Sequence, residues 1–108
     1  MATEGDRLLA TMAALGHPHR LRIVAMLATR GRDYVSRLAR EVGISRPLLH
    51  LHLQKLEEAG LVTSSFELSA DGKALKFFEV TDFSLRLTPE AIAEAAKTLT
   101  EPASRSDD

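Results

Sequence analysis

The sequence predicts a mainly α domain carrying one β-hairpin, an α+β protein. Three observations support this. Apolar residues recur at helical spacing through four consecutive segments up to Gly60. The period then changes to two through the arms flanking Asp71-Gly72, and helical spacing returns after Thr88. With 108 residues, 44% hydrophobic and 27% charged, the chain suits one domain that buries about two thirds of its unfolded surface.

The first helix is expected over Asp6 to Leu15, where Leu8, Leu9, Met12 and Leu15 share a face until Gly16 and Pro18 interrupt it. Pro18 suits the first turn of the second helix, whose stripe of Leu21, Ile23, Val24, Met26, Leu27 and Ala28 ends near Gly31. A short third helix is expected from Tyr34 to Val42, with Val35, Leu38, Ala39 and Val42 inward and Gly43 supplying the turn. Ser45 then caps a fourth helix, in which Leu49, Leu53 and Leu56 form the buried seam up to Gly60.

Leu61 to Ser69 and Lys73 to Thr81 read as hairpin arms joined at Asp71-Gly72, which shape the tip. Val62, Phe66, Leu68, Leu75, Phe77, Phe78 and Val80 provide an apolar face that can lie on the helices while the tip projects. Thr88 caps a last helix opening on Pro89, lined by Ile92, Ala95, Ala96 and Leu99 and closed by Pro102. One domain over residues 6–100 is therefore expected, followed by a polar, disordered tail over 101–108.

Composition excludes several functions. Without cysteine there is no disulfide framework, thiolate metal site or cysteine nucleophile, and a reducing cytoplasm is the expected compartment. Met1 to Arg7 is polar and acidic, unlike a signal peptide, and no apolar run is long enough for a membrane span. Net charge is -1, but its distribution is uneven. From His17 to Leu56 there are eight basic residues (Arg20, Arg22, Arg30, Arg32, Arg37, Arg40, Arg46, Lys55) against Asp33 and Glu41. A basic centre between acidic ends is the pattern of a chain that turns one face to a polyanion.

Two helices joined by Val42-Gly43-Ile44, the second opening on Ser-Arg-Pro and followed by a hairpin, constitute a winged helix-turn-helix. The run Ala14-Leu15-Gly16-His17-Pro18-His19-Arg20-Leu21-Arg22-Ile23 is one mark of a family likeness. Ile44-Ser45-Arg46-Pro47, continuing through His52-Leu53 to Leu56-Glu57-Glu58-Ala59-Gly60-Leu61-Val62, is another. Together they resemble the ArsR/SmtB family of small dimeric bacterial and archaeal repressors, over roughly residues 7 to 100. That resemblance implies the order α1-α2-α3-α4-β-hairpin-α5, dimerisation through the first and last helices, and repression at a palindromic operator. Leu8, Leu9, Met12, Ile92, Ala96 and Leu99 independently exceed the apolar surface a small monomer needs to cover at its ends, so a homodimer is expected.

On a helical wheel Leu49, Leu53, Leu56 and His52 face the core, which leaves Arg46, Pro47, His50, Leu51, Gln54 and Glu58 on the outer arc. Arg46 can donate to guanine or phosphate, Gln54 can bond adenine or phosphate, and Leu51 can pack on a thymine methyl. Phosphate contacts are expected from Arg37 and Arg40 on the third helix, Ser45 at the cap, and Lys73 or Lys76 on the wing, with Lys55 among the cationic residues of the interface. His52 is read as hydrogen-bonded structure at the core edge, not as a base reader.

Sensing is less legible. The family's metal sensors often carry Cys-x-Cys on the third helix, but here Arg32 to Ser36 reads Arg-Asp-Tyr-Val-Ser. Another family site uses Asp, His and Glu across paired last helices, yet Thr88 to Thr100 offers only Glu90 and Glu94. Neither a cofactor nor a metal is expected. His17 and His19, with carboxylates, are the residual nitrogen and oxygen donors that suit nickel, zinc or cobalt, although decorating the start of the second helix is the simpler role. Three function classes follow. The leading one is a homodimeric regulator of double-stranded DNA. The alternative is a winged-helix protein-interaction module, or a DNA-binding subunit whose effector, nickel or another divalent metal included, is sensed by a separate protein. An enzyme is disfavoured, because the chain offers no nucleophile and base pair, phosphate loop or carboxylate constellation.

Overall fold

The structure is a computed structural model and describes residues 2–100. In chain order it contains α1 (Glu4–Leu15), α2 (Pro18–Arg30), β1 (Asp33–Tyr34), α3 (Val35–Val42), α4 (Arg46–Glu58), β2 (Val62–Leu68), β3 (Ala74–Val80) and α5 (Pro89–Ala96). This is the expected winged helix-turn-helix, with one more strand than the sequence suggested.

Side-chain caps fix the helix starts. Thr3 Oγ1 accepts from the Asp6 amide at 3.1 Å, so α1 starts at Glu4, two residues before the expected Asp6. Ser45 Oγ accepts from Leu48 N, and Thr88 Oγ1 accepts from Ala91 N, as their positions predicted. Pro18, Pro47 and Pro89 occupy first-turn positions, where a missing amide proton costs nothing.

The core lies where α2, α3 and α4 meet the sheet. Ile23, Leu27, Leu38, Leu49, Leu53, Leu56, Val62 and Phe78 are almost completely buried, each contributing about 1.5–3 kcal/mol by leaving water. Leu21 does not join them. Its place in the apolar stripe predicts burial, yet it is 55% exposed, because it projects from the side of α2 opposite Ile23 and Leu27. Ala28 is likewise exposed.

The sheet is antiparallel with order β1-β3-β2. Tyr34, expected to open the third helix, instead pairs with Phe77 in β1, while Asp33 pairs with Phe78. Two residues have no periodicity of their own, and this strand exists because β3 offers it an edge. The Tyr34 and Phe77 rings meet edge to face, 5.7 Å apart. At the base of the β2-β3 hairpin, Val62 pairs with Val80 and lies on the core, but Phe66 and Leu68 at the distal end are 69% and 76% exposed. Both belong to the end of the hairpin that the sequence expects to project. They lie beyond the reach of the helices.

At the other end, α5 stops at Ala96 and does not run on toward Pro102. Lys97, Thr98 and Leu99 continue with tighter bonds to the carbonyls three residues back. Thr98 Oγ1 accepts from Gly5 N at 2.7 Å and donates to Ala95 O, and the Asp6 carboxylate accepts from both N and Oγ1 of Thr100. These ties to α1 close the helix early. Pro102 and the expected tail over 101–108 lie outside the described residues.

Candidate nucleic-acid interface

The local chain geometry aims α4 outward. Gly43 adopts the left-handed conformation (φ 84°, ψ 34°), and Gly43 N and Ile44 N both bond back to Ala39 O, a sharp exit from α3 that suits glycine. Ser45 then starts α4 after two residues of turn. Its hydroxyl oxygen is engaged with Leu48 N, and the hydroxyl hydrogen remains to donate to an anion.

Along α4 the inner side is fully committed: Leu49, Leu53 and Leu56 are buried, and His52 is only 6% exposed. Arg46, Pro47, His50, Leu51, Gln54 and Glu58 are all exposed, as the wheel predicted, with Leu51 at 59%. Among the described residues no carboxylate pairs with Arg46. Lys55 is also exposed but borders a separate hollow beside Ala10, Ala13 and Arg20, on the flank toward α1.

The surrounding cations divide into free and engaged groups. Arg37 Nε lies 3.5 Å from Asp33, and Arg30 pairs with Glu41 at 2.8 Å, holding the Glu41 carboxyl below its usual range. Arg40 is exposed with no ion pair among the described residues. On the wing, Lys73 is exposed at the tip, where Gly72 takes φ 85°. Lys76 is placed differently. Its ammonium lies 5.4 Å from the Phe78 ring and 5.8 Å from the Phe66 ring, and its side chain lines a cleft of about 220 Å³ with His50, Gln54 and Glu57 between the sheet and α4.

Arg32 was not singled out from the sequence. Its guanidinium stacks 4.6 Å from the centre of the Phe77 ring and pairs with Glu67, whose carboxyl is held low by that bond. It thereby ties the start of β1 across the wing. Its basic type was the only local signal, since the pairing needs β1, which the sequence did not reveal.

His17 and His19 stand at the start of α2. Both are half-buried, and with His52 they form a cluster of three rings, 4.5 to 5.4 Å between centres. His17 Nδ1 accepts from His19 N and caps α2, while His19 Nδ1 is buried with no hydrogen-bond partner among the described residues. His52 Nδ1 accepts from Arg20 Nε at 3.2 Å, the structural role expected of it. Burial, and then the nearby His17, Arg20 and His19, push the His52 pKa down. Among the described residues no group of three or more His, Asp or Glu side chains has the arrangement to hold a metal ion.

Away from the basic side, Leu8, Leu9, Met12, Ile92, Ala96 and Leu99 gather with Gly5 and Ala95 around a shallow apolar hollow of about 140 Å³. Leu9 is 52% exposed and Ile92 44%. No described helix is long and apolar enough to cross a membrane.

The chain is similar to known proteins in sequence and in fold. The helix-turn-helix domain family matches residues 15–65. An uncharacterised HTH-type transcriptional regulator of Methanocaldococcus jannaschii is 33% identical over 79 residues, 73% of this chain and 81% of the relative. Among solved structures, the transcriptional repressor BigR of Xylella fastidiosa superposes with a TM-score of 0.58 at 25% identity, over 81% of this chain and 74% of that one. The homodimeric winged helix-turn-helix DNA-binding domain of a possible ArsR-family regulator from Mycobacterium bovis gives 0.59 at 22% identity, over 85% and 74%.

Proposed function

We propose that this chain, which belongs to the helix-turn-helix transcriptional regulators and has the winged fold of ArsR-type regulators, is a cytoplasmic homodimeric repressor that reads a palindromic operator. The observation that carries this reading is the division of α4. Its inner seam anchors the helix to the core, while Arg46, Pro47, His50, Leu51 and Gln54 stand exposed on the opposite arc. A helix held in that way can enter a major groove without repacking.

In this reading Arg46 donates to guanine, Gln54 bonds adenine and Leu51 meets a thymine methyl. Arg37, Arg40, Ser45, Lys55 and Lys73 hold phosphates, and Lys76 supports the reading helix from the cleft it shares with Gln54. Two copies pair through the apolar hollow of α1 and α5, which gives the two-fold symmetry a palindrome requires. Residues 6–100 thus serve as one unit for binding and dimerisation. Metal control through the family's familiar ligand sets has no residues to rest on, so control lies with another effector or with a separate sensor protein.

The test is selection of duplexes from a random pool, followed by titration of the selected site and of scrambled duplex at several salt concentrations, with the mass of the free protein measured alongside. The expected result is a palindromic site bound by a dimer with steep salt dependence. Binding without sequence preference, or a monomer of 11.8 kDa at micromolar concentration, would overturn it.

A further inference from the structure

A second concavity lies behind the dimerisation helices. It is a cleft of about 800 Å³ between α1, the segment following α4, the irregular linker over residues 81–88 and α5. Leu8, Leu61, Phe83 and Leu85 give it an apolar lining, with Leu61 fully buried and the other three half-buried. Its volume falls among those of sites for small organic ligands.

The charged residues of its lining are unequal in their commitments. Glu94 is paired with Lys97 at 2.8 Å. Arg7 and Arg86 have no carboxylate partner among the described residues, and Arg7 makes only a long bond to Ala2 O. Among the described residues Glu4 is the other carboxylate in the lining, and it forms no ion pair there. Two exposed arginines without a carboxylate partner among the described residues, lining the same cleft as Leu8, Leu61, Phe83 and Leu85, favour a ligand with a planar anionic head and an apolar body, because a guanidinium meets a carboxylate with two parallel hydrogen bonds.

We propose that this cleft binds a small carboxylate carrying an apolar, ring-sized body, with Arg7 and Arg86 holding the head. Its position gives such a ligand a route to control. Leu8 and Ala95 wall this cleft on one side and the apolar hollow of α1 and α5 on the other, and Ala59, Gly60 and Leu61 directly follow α4. The ligand therefore touches both the proposed dimer helices and the end of the proposed reading helix. Occupancy itself is independent of the DNA-binding reading and is tested without DNA.

The full chain is titrated by calorimetry with naphthalene-2-carboxylate and, separately, with naphthalene-2-carboxamide, which keeps the rings and removes the charge. The carboxylate should bind one per chain and at least about ten-fold more tightly, as charge-assisted hydrogen bonds imply. The double variant Arg7→Gln, Arg86→Gln should remove that difference. On the unaltered protein, methyl NMR shifts should concentrate at Leu8, Leu61 and Leu85, a readout that needs no variant to fold. Equal affinity for the two probes, no carboxylate binding at millimolar concentration, or shifts confined to Leu9 and Met12 would each overturn the proposal.

Discussion

Arg20 joins three helices through a single guanidinium: its Nε donates to Nδ1 of His52 at 3.2 Å, and its Nη1 donates to the carbonyls of Ala13 and Ala14 at the end of α1. An acceptor Nδ1 facing a guanidinium is unprotonated, so the contact requires neutral His52. Protonation would place two cations against each other beside His17 and His19.

The sign of the pH effect follows. Folding lowers the His52 pKa from its ordinary 6.5, so below that pH the unfolded chain takes up a proton the folded chain resists. Stability from this group is complete above pH 6.5, declines as pH falls below it, and levels off once pH is beneath the folded-state value. Thermal melts from pH 8 to 5 should show Tm falling in that window, and His52→Gln should flatten the fall. A Tm unchanged in the parent protein would contradict the linkage.

Arg46→Ala and Gln54→Ala should each cost about 1–3 kcal/mol at the selected operator and much less on scrambled duplex. Lys73→Ala should weaken both about equally and lower the salt slope by about one. Lys76 differs from Lys73 in its setting, so Lys76→Ala should reduce specific binding through Gln54 more than nonspecific binding. Titrations of all four variants, with circular dichroism to verify the fold, check this; unaltered binding throughout would remove the docking mode.

Gly5→Ala tests the α1–α5 crossing. A Cβ at Gly5 would come within 2.2 Å of Ala95 O and 2.9 Å of Thr98 Oγ1, so the helices must separate and the Gly5–Thr98 hydrogen bond is strained. Alanine favours a helix interior by about 1 kcal/mol over glycine, yet overpacking costs about 1–3 kcal/mol. Urea unfolding should show net destabilisation together with weaker dimerisation. A more stable variant would mean the crossing yields easily.

Nickel, zinc or cobalt should shift operator affinity by less than about ten-fold, which corresponds to about 1.4 kcal/mol of coupling. Nδ1 of His17 and of His52 already accept hydrogen bonds, and a metal taking either nitrogen must first break them. Operator titrations with and without stoichiometric metal are the measurement. A larger shift, abolished by the His17→Ala, His19→Ala double variant, would make the chain a metal sensor.

The exposed arc of α4 was legible in the sequence because helix facing is a local property. The spacing of Leu49, Leu53 and Leu56 put Arg46, Leu51 and Gln54 on the opposite arc before any tertiary contact was known. Ser45, Thr88 and Gly43 fixed helix ends for the same reason, since capping and left-handed turns involve only nearby backbone. What only the tertiary structure decided depends on residues far apart in the chain. Tyr34 left the third helix for a strand because Phe77 supplied its partner, and Lys76 parted company with Lys73 because Phe78 and α4 stand beside it. His17 and His19 met His52 from a different helix, and α5 ended early because Thr98 and Thr100 found Gly5 and Asp6 more than ninety residues away. Such pairings carry no periodic mark in the sequence, for they are set by which surfaces the packed helices and sheet bring together.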